Sequence, residues 1–178
     1  MRVAAVDCGT NSIRLLIADV DPATGGLRDL VRRMEIVRLG QGVDRTGRLD
    51  PGRIDAALAM SREYAEQCRT YAVDAVRFVA TSASRDASNA GDFVTGVEAA
   101  FADFGVSPEV VSGSEEATLS FQGATGDLRA AGISSPYLVV DIGGGSTEFV
   151  LGTESVDAAI SVDVGCVRIA ERQLRSDP

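Results

Sequence analysis

The 178-residue chain has no histidine, no lysine and no tryptophan, and all 17 of its basic residues are arginine. Without His, a Ser-His-Asp or Cys-His relay is excluded within these residues. Without Lys, so are a P-loop lysine and a Schiff base. Acid–base chemistry then falls to the 26 Asp and Glu residues. Cysteine is scarce: Cys8, Cys68 and Cys166 are odd in number and far apart. Their spacing fits neither a zinc site nor a disulfide framework, so they read as small buried thiols in a reducing compartment. No apolar run approaches the roughly 18 residues of a membrane span. The start, Met1 to Asp7, reaches an acidic residue too early for a secretory signal. No membrane association is expected, and a cytoplasmic location follows by default. A net charge of −9 argues against nucleic acid as a partner. It leaves a phosphorylated ligand open, provided that backbone N–H groups, a metal ion or a few arginines meet it locally.

What is present is a chain with 45% hydrophobic residues, enough for a core. Residues 2–7, 13–20 and 27–39 read as strands, joined by the turn signal 21–26, and suggest an antiparallel meander. A loop over 40–49 leads to a helix capped by Asp50, opened by Pro51 and running to about Tyr71. A strand at 75–80, a helix over 91–104 stopped by Gly105, a strand at 109–112 and a helix over 114–131 follow. Strands at 137–142, 147–152 and 157–164 come next, and a helix begins over 166–175. The order is βββαβαβα, then βββα.

That order implies a repeat, and the residues support one. Asp7-Cys8-Gly9-Thr10-Asn11-Ser12 matches Asp141-Ile142-Gly143-Gly144-Gly145-Ser146 at a shift of 134, with Asp, Gly and Ser coinciding. The expected organisation is a first α/β domain over 1–133 and the start of a similar second domain over 134–178, the second unit being unfinished.

Four stretches carry chemistry. In the first, a strand ends at Asp7, and a turn through Gly9, Thr10, Asn11 and Ser12 offers backbone N–H groups and hydroxyls to phosphate, with Asp7 available to a metal ion. An ordinary hairpin turn is the competing reading. In the second, Gly143-Gly144-Gly145 would weaken a plain hairpin, so close approach of backbone to a ligand explains it better. Asp141 and Glu148 flank that turn and suit Mg²⁺. The natural arrangement is two hairpins facing across a cleft and gripping one phosphate chain. In the third, Ser114 can cap a helix whose first turn holds Glu115 and Glu116; capping explains one glutamate and leaves the other open to a catalytic role. In the fourth, residues 80–89 follow a strand directly, where α/β folds place ligand contacts; Arg85 there can grip phosphate or simply be solvated.

Together, in this order, these motifs resemble the exopolyphosphatase and guanosine pentaphosphate phosphatase (Ppx/GppA) family of the actin-like superfamily. The matching stretches are 7–19, 79–89, 110–123, 138–152 and 164–171, spread over nearly the whole chain. The resemblance implies an actin-like (ribonuclease H-like) α/β fold and hydrolysis of terminal phosphate from inorganic polyphosphate or guanosine pentaphosphate. It assigns the water-activating base to Glu116. Phosphate contacts go to Gly9, Thr10, Asn11, Ser12, Arg85, Gly143, Gly144, Gly145, Ser146 and Thr147, and metal ligation to Asp7, Asp141 and Glu148, with Mg²⁺ or another divalent cation as cofactor. Two departures stand out: Thr118 replaces an Arg common in relatives, and Ala170 replaces a hydroxyl residue. A phosphotransferase or ATPase of the same superfamily, and a non-catalytic binder of polyphosphate or alarmone, remain alternatives. The choice of substrate is open, as is a homodimer.

Overall fold

The computed structural model describes residues 1–174. They form two compact units, one over Met1–Val110 and the other from Val111 onward.

The first unit opens with the expected meander: β1 (Arg2–Cys8), β2 (Ser12–Val20) and β3 (Leu27–Ile36), paired antiparallel. A one-turn helix α1 (Val43–Thr46) and the long α2 (Pro51–Thr70) lead to β4 (Ala75–Ala80). Then α3 (Ser82–Asp86), α4 (Ala90–Ala100) and a 3-10 turn over Ala102–Phe104 lead to a short β5 (Glu109–Val110). The sheet order is β3-β2-β1-β4-β5, with β4 parallel to both β1 and β5. This mixed α/β arrangement is the actin-like one. Its consequence for function is that the ends of β1 and β4 lie side by side, Cys8 opposite Ala80, so the loops that follow them share one edge.

Strand alternation builds the core. Ala4, Val6 and Cys8 on β1 and Ile13, Leu15 and Ile17 on β2 are buried, in one cluster with Ile54, Ala57, Tyr64, Ala65 and Cys68 of α2 and Phe93 and Val97 of α4. Phe78 packs edge-on to Phe93 and Phe101, with ring centroids 6.2 and 5.8 Å away. Each such ring contributes about 1.5–3 kcal/mol by leaving water. Tyr64 is fully buried; its hydroxyl donates to the Ile13 carbonyl at 3.2 Å, and the Arg33 guanidinium lies 5.4 Å from its ring centroid.

The helix starts and stops follow local chemistry. Asp50 caps α2 by accepting from the Arg53 N–H at 3.1 Å, with Pro51 in the first turn. Gly105 ends the 3-10 turn at φ +62°. Helix α1 falls in the expected loop over 40–49, and α3 in the stretch 80–89, to which no element was assigned; at 4 and 5 residues they are too short to show a period. Strand β3 stops at Ile36, three residues short of the expected 27–39, because the Val37 and Arg38 N–H groups turn to the Asn11 carbonyl at 3.0 and 2.9 Å.

The second unit consists of α5 (Gly113–Ala130), the antiparallel strands β6 (Tyr137–Ile142), β7 (Thr147–Gly152) and β8 (Val156–Val162), and α6 (Cys166–Gln173). The repeat in the sequence suggests a division at 133/134, whereas compactness divides the chain at 110/111. The difference is α5: Ala117 and Phe121 share a core with Tyr137 of β6 and Val150 of β7. On the opposite face of this sheet Leu138, Val140, Ile142, Phe149, Leu151 and Ile160 are exposed. The cap of α5 is Ser112, not the expected Ser114. Ser112 Oγ accepts from the Glu115 N–H at 3.2 Å, and Ser114 already lies in the first turn, its Oγ 2.9 Å from that of Ser112. Strand 109–112 is correspondingly cut to two residues. Cys8 and Cys68 are buried as expected, but Cys166 is exposed, because it opens α6, none of whose described side chains is buried. The expected helix 166–175 ends at Gln173; residue 175 lies outside the described residues. Among the described residues no helix is long and apolar enough to cross a membrane.

Candidate active site

The same hydrogen bond closes both glycine turns. Gly9 N–H donates to the Ser12 carbonyl at 2.9 Å, and Gly143 N–H donates to the Ser146 carbonyl at 2.9 Å. The repeat inferred from residues is therefore present in backbone geometry. Each turn is also tied back by the segment that follows the third strand of its unit. In the first unit Gly40 N–H donates to the Thr10 carbonyl at 2.8 Å. In the second, Cys166 N–H donates to the Gly143 carbonyl at 3.0 Å, and the Val167 and Arg168 N–H groups donate to that of Gly144 at 2.9 and 3.1 Å.

This tying back orients the turns. In a trans peptide the C=O of one residue and the N–H of the next point in opposite directions. With the Gly143 and Gly144 carbonyls directed at α6, the N–H groups of Gly144 and Gly145 point away from it. By the same reasoning the Asn11 N–H points away from Gly40. Each turn thus presents backbone donors on one side, the arrangement that binds an anion. The first N–H groups of α6, by contrast, are consumed by the turn.

Close packing, rather than left-handed backbone, fixes Gly143. The glycines at positive φ are elsewhere, at Gly25, Gly42, Gly47, Gly105 and Gly132. A Cβ on Gly143 would stand 3.0 Å from the Ser146 carbonyl oxygen.

Two of the turn hydroxyls serve the fold. Thr10 and Thr147 are buried, and their side chains are used inside the fold: Thr10 Oγ1 shares a hydrogen bond with Ser82 Oγ at 2.8 Å, and Thr147 donates to the Val164 carbonyl. These two residues shape their loops. The Thr10–Ser82 bond joins the first turn to α3, at whose end Arg85 is exposed. Ser84 Oγ is buried there with no partner among the described residues.

The carboxylates are held individually. Asp7 faces its cross-strand neighbour Arg14, with Arg14 Nη1 3.2 Å from Asp7 Oδ2. In the second unit Asp141, Glu148 and Ser161 are register neighbours across three strands and share the face covered by α5. Ser120 of α5 donates to Asp141 Oδ2 at 2.7 Å, and Ser161 donates to Glu148 Oε1 at 2.7 Å. Glu148 is 1% exposed, a buried carboxylate whose partner among the described residues is a single hydroxyl. Glu116, one helical turn before Ser120, lies on the same flank of α5. Cys8 adjoins Asp7, but burial pushes its thiol far above the usual range, which removes it as a nucleophile.

Among the described residues no group of three or more His, Cys, Asp or Glu side chains forms a ready-made metal cage. The donor set nonetheless suits Mg²⁺, which takes hard oxygen ligands, commonly one or two carboxylates plus phosphate oxygens. The register pair Asp141 and Glu148 supplies two such carboxylates.

Residues missed in the sequence reading are Ser82, Ser120, Ser161, Gly40 and Gly165. Ser120 left a signal in its spacing of four from Glu116 on a helix, and Ser82 and Gly165 fall within the matching stretches 79–89 and 164–171. Ser161 and Gly40 act through register and close approach, which no linear pattern records.

The family model described as "Ppx/GppA phosphatase family" matches residues 16–178. The chain belongs to the Ppx/GppA phosphatase family. It is 53% identical over 181 residues to Exopolyphosphatase 2 of Mycobacterium tuberculosis, covering 99% of this chain and 56% of that protein. It is 34% identical to a bifunctional 3-dehydroquinate synthase/phosphatase of Fusobacterium nucleatum, covering 95% of this chain and 26% of that one. Among solved structures, an exopolyphosphatase-like protein superposes with a TM-score of 0.90 at 45% identity, over 99% of this chain and 54% of its own. The Aquifex aeolicus Ppx/GppA member gives 0.79 at 34% identity, over 99% of this chain and 56% of its own. This Ppx/GppA chain thus spans about half the length of the exopolyphosphatase and family structures it matches.

Proposed function

We propose that the chain carries the phosphate-binding and water-activating groups of an exopolyphosphatase, a hydrolase of phosphoric anhydride bonds. Its substrate is inorganic polyphosphate, with guanosine pentaphosphate as the second candidate. The observation that carries this reading is the tied-back pair of turns, whose carbonyls are engaged behind and whose Asn11, Gly144 and Gly145 N–H groups point outward. An acidic chain of net charge −9 needs a local device of this kind to hold a polyanion. The exopolyphosphatase names of its relatives support the substrate class.

In this reading each turn offers its outward N–H groups to phosphate oxygens, Asn11 in the first turn and Gly144 and Gly145 in the second, and Arg85 offers its guanidinium fork to the same kind of group. Glu116 accepts the proton of a water as that water attacks phosphorus and the bridging P–O bond breaks. Asp141 and Glu148 would hold Mg²⁺, which would offset negative charge on the phosphates, and Asp7 of the first unit is a separate candidate ligand. Ser120 and Ser161 keep the first two carboxylates oriented.

The test is phosphate release from polyphosphate and from guanosine pentaphosphate by the intact protein and by Glu116→Gln. A general base contributes about 10²- to 10⁴-fold. Turnover should fall by that order with substrate binding retained. Wild-type turnover in the variant would remove Glu116 from the role, and tight binding without turnover by the wild type would make the protein a sensor.

A further inference from the structure

We propose that Ser120 is a positioning residue that sets both the Asp141 carboxylate and the orientation of the helix bearing Glu116. The proposal rests on the reading of Asp141 as a metal ligand. Helix α5 crosses the row Ser161–Glu148–Asp141. At its start a Cβ on Gly113 would lie 3.3 Å from Ser161 Cβ and Oγ. Seven residues later Ser120 Oγ donates to Asp141 Oδ2 at 2.7 Å. A helix rises about 1.5 Å per residue, so this stretch spans roughly 10 Å. Two strand spacings of about 4.8 Å give the same length. The helix is therefore fastened at both ends of the row, by close packing at β8 and by a hydrogen bond at β6. Glu116 lies between the two fastenings, on the Ser120 flank.

The rest of α5 does not need this bond to fold. Ala117 and Phe121 pack into the core, Ser112 caps the start, and Arg129 near the end donates to the Thr153 and Glu154 carbonyls. What Ser120 adds is direction. Its hydroxyl occupies Asp141 Oδ2 and fixes the carboxylate plane, leaving Oδ1 for another ligand. It also pins the helix about its own axis, the motion that would swing Glu116.

The experiment compares Ser120→Thr with Ser120→Val in the intact protein, two side chains of one shape that differ by the hydroxyl. Mn²⁺ binding to the protein without substrate is read by electron paramagnetic resonance, and kcat and KM are read separately, with Asp141→Asn as reference. Loss of a group that orients a metal ligand typically costs 10- to 100-fold in affinity or activity. The Val variant should bind Mn²⁺ at least tenfold more weakly than the Thr variant, and lose kcat more than KM, at equal thermal stability. Equal Mn²⁺ affinity in the Thr and Val variants, with binding lost in Asp141→Asn, overturns the role of Ser120 while the metal reading stands. Mn²⁺ binding unaffected by Asp141→Asn, or absent from the wild type, overturns both.

Discussion

A Cβ on Gly165 would stand 2.3 Å from the carbonyl oxygen of Gly144. The obstacle is backbone, which cannot swing aside as a side chain can. Gly165 has φ −131° and ψ 161°, allowed to any residue, so space alone demands glycine. Gly165→Ala should push the turn off α6 and break the hydrogen bonds that aim its N–H groups. Overpacking of this kind costs about 1–3 kcal/mol. A lowered melting temperature together with weakened polyphosphate binding is expected, measured by calorimetry and by a binding assay. Alanine tolerated without either change would mean that the turn does not rely on this contact.

Gly9 offers the opposite case. Its nearest neighbours to an added Cβ are the Ser12 carbonyl oxygen at 3.7 Å and Thr81 Oγ1 at 3.8 Å, both ordinary contacts. The fold therefore accepts Gly9→Ala. If the turn holds phosphate by close backbone approach, the variant should keep its stability within about 0.5 kcal/mol, as benign substitutions do, yet raise KM for polyphosphate severalfold. Unchanged kinetics would show that the ligand does not approach this residue.

Glu148 separates stability from function in another way. A buried carboxylate with one hydroxyl partner is costly in the absence of a cation. Glu148→Gln should leave the metal-free protein as stable as the wild type or more so, and Mg²⁺, expected to raise the melting temperature of the wild type, should not raise that of the variant. A loss of stability without metal would mean that the charge serves the fold itself.

Asp19 contributes to acid sensitivity. Hydrogen bonds from Arg2, at 2.8 Å, and Arg28, at 2.7 Å, lower its carboxyl to about 2. A folded-state pKa below the unfolded value of about 3.9 means stability that is present above pH 4 and lost as pH falls towards 2. Asp19→Asn should remove that component, so the difference in melting temperature between wild type and variant should shrink between pH 4 and pH 2. A constant difference across that range would show that Asp19 contributes nothing through ionisation.

The amino-acid sequence alone determined the order of long elements, the Asp-Gly turns and their repetition, and the family. These depend on local rules: apolar alternation, the Asp50 cap with Pro51, and glycines where a side chain does not fit. They survive in a linear reading because each involves neighbours in sequence. The tertiary structure alone decided which hydroxyls are committed to the fold, as at Thr10 and Thr147, and that α5 packs on the strands after it. It also decided that Ser161, Glu148, Asp141 and Ser120 meet. Those outcomes depend on strand register and on where a helix lands on a sheet. A shift of one residue in register would turn Asp141 to the opposite face, and no sequence pattern specifies that a serine on a helix will reach a carboxylate on a strand 21 residues later.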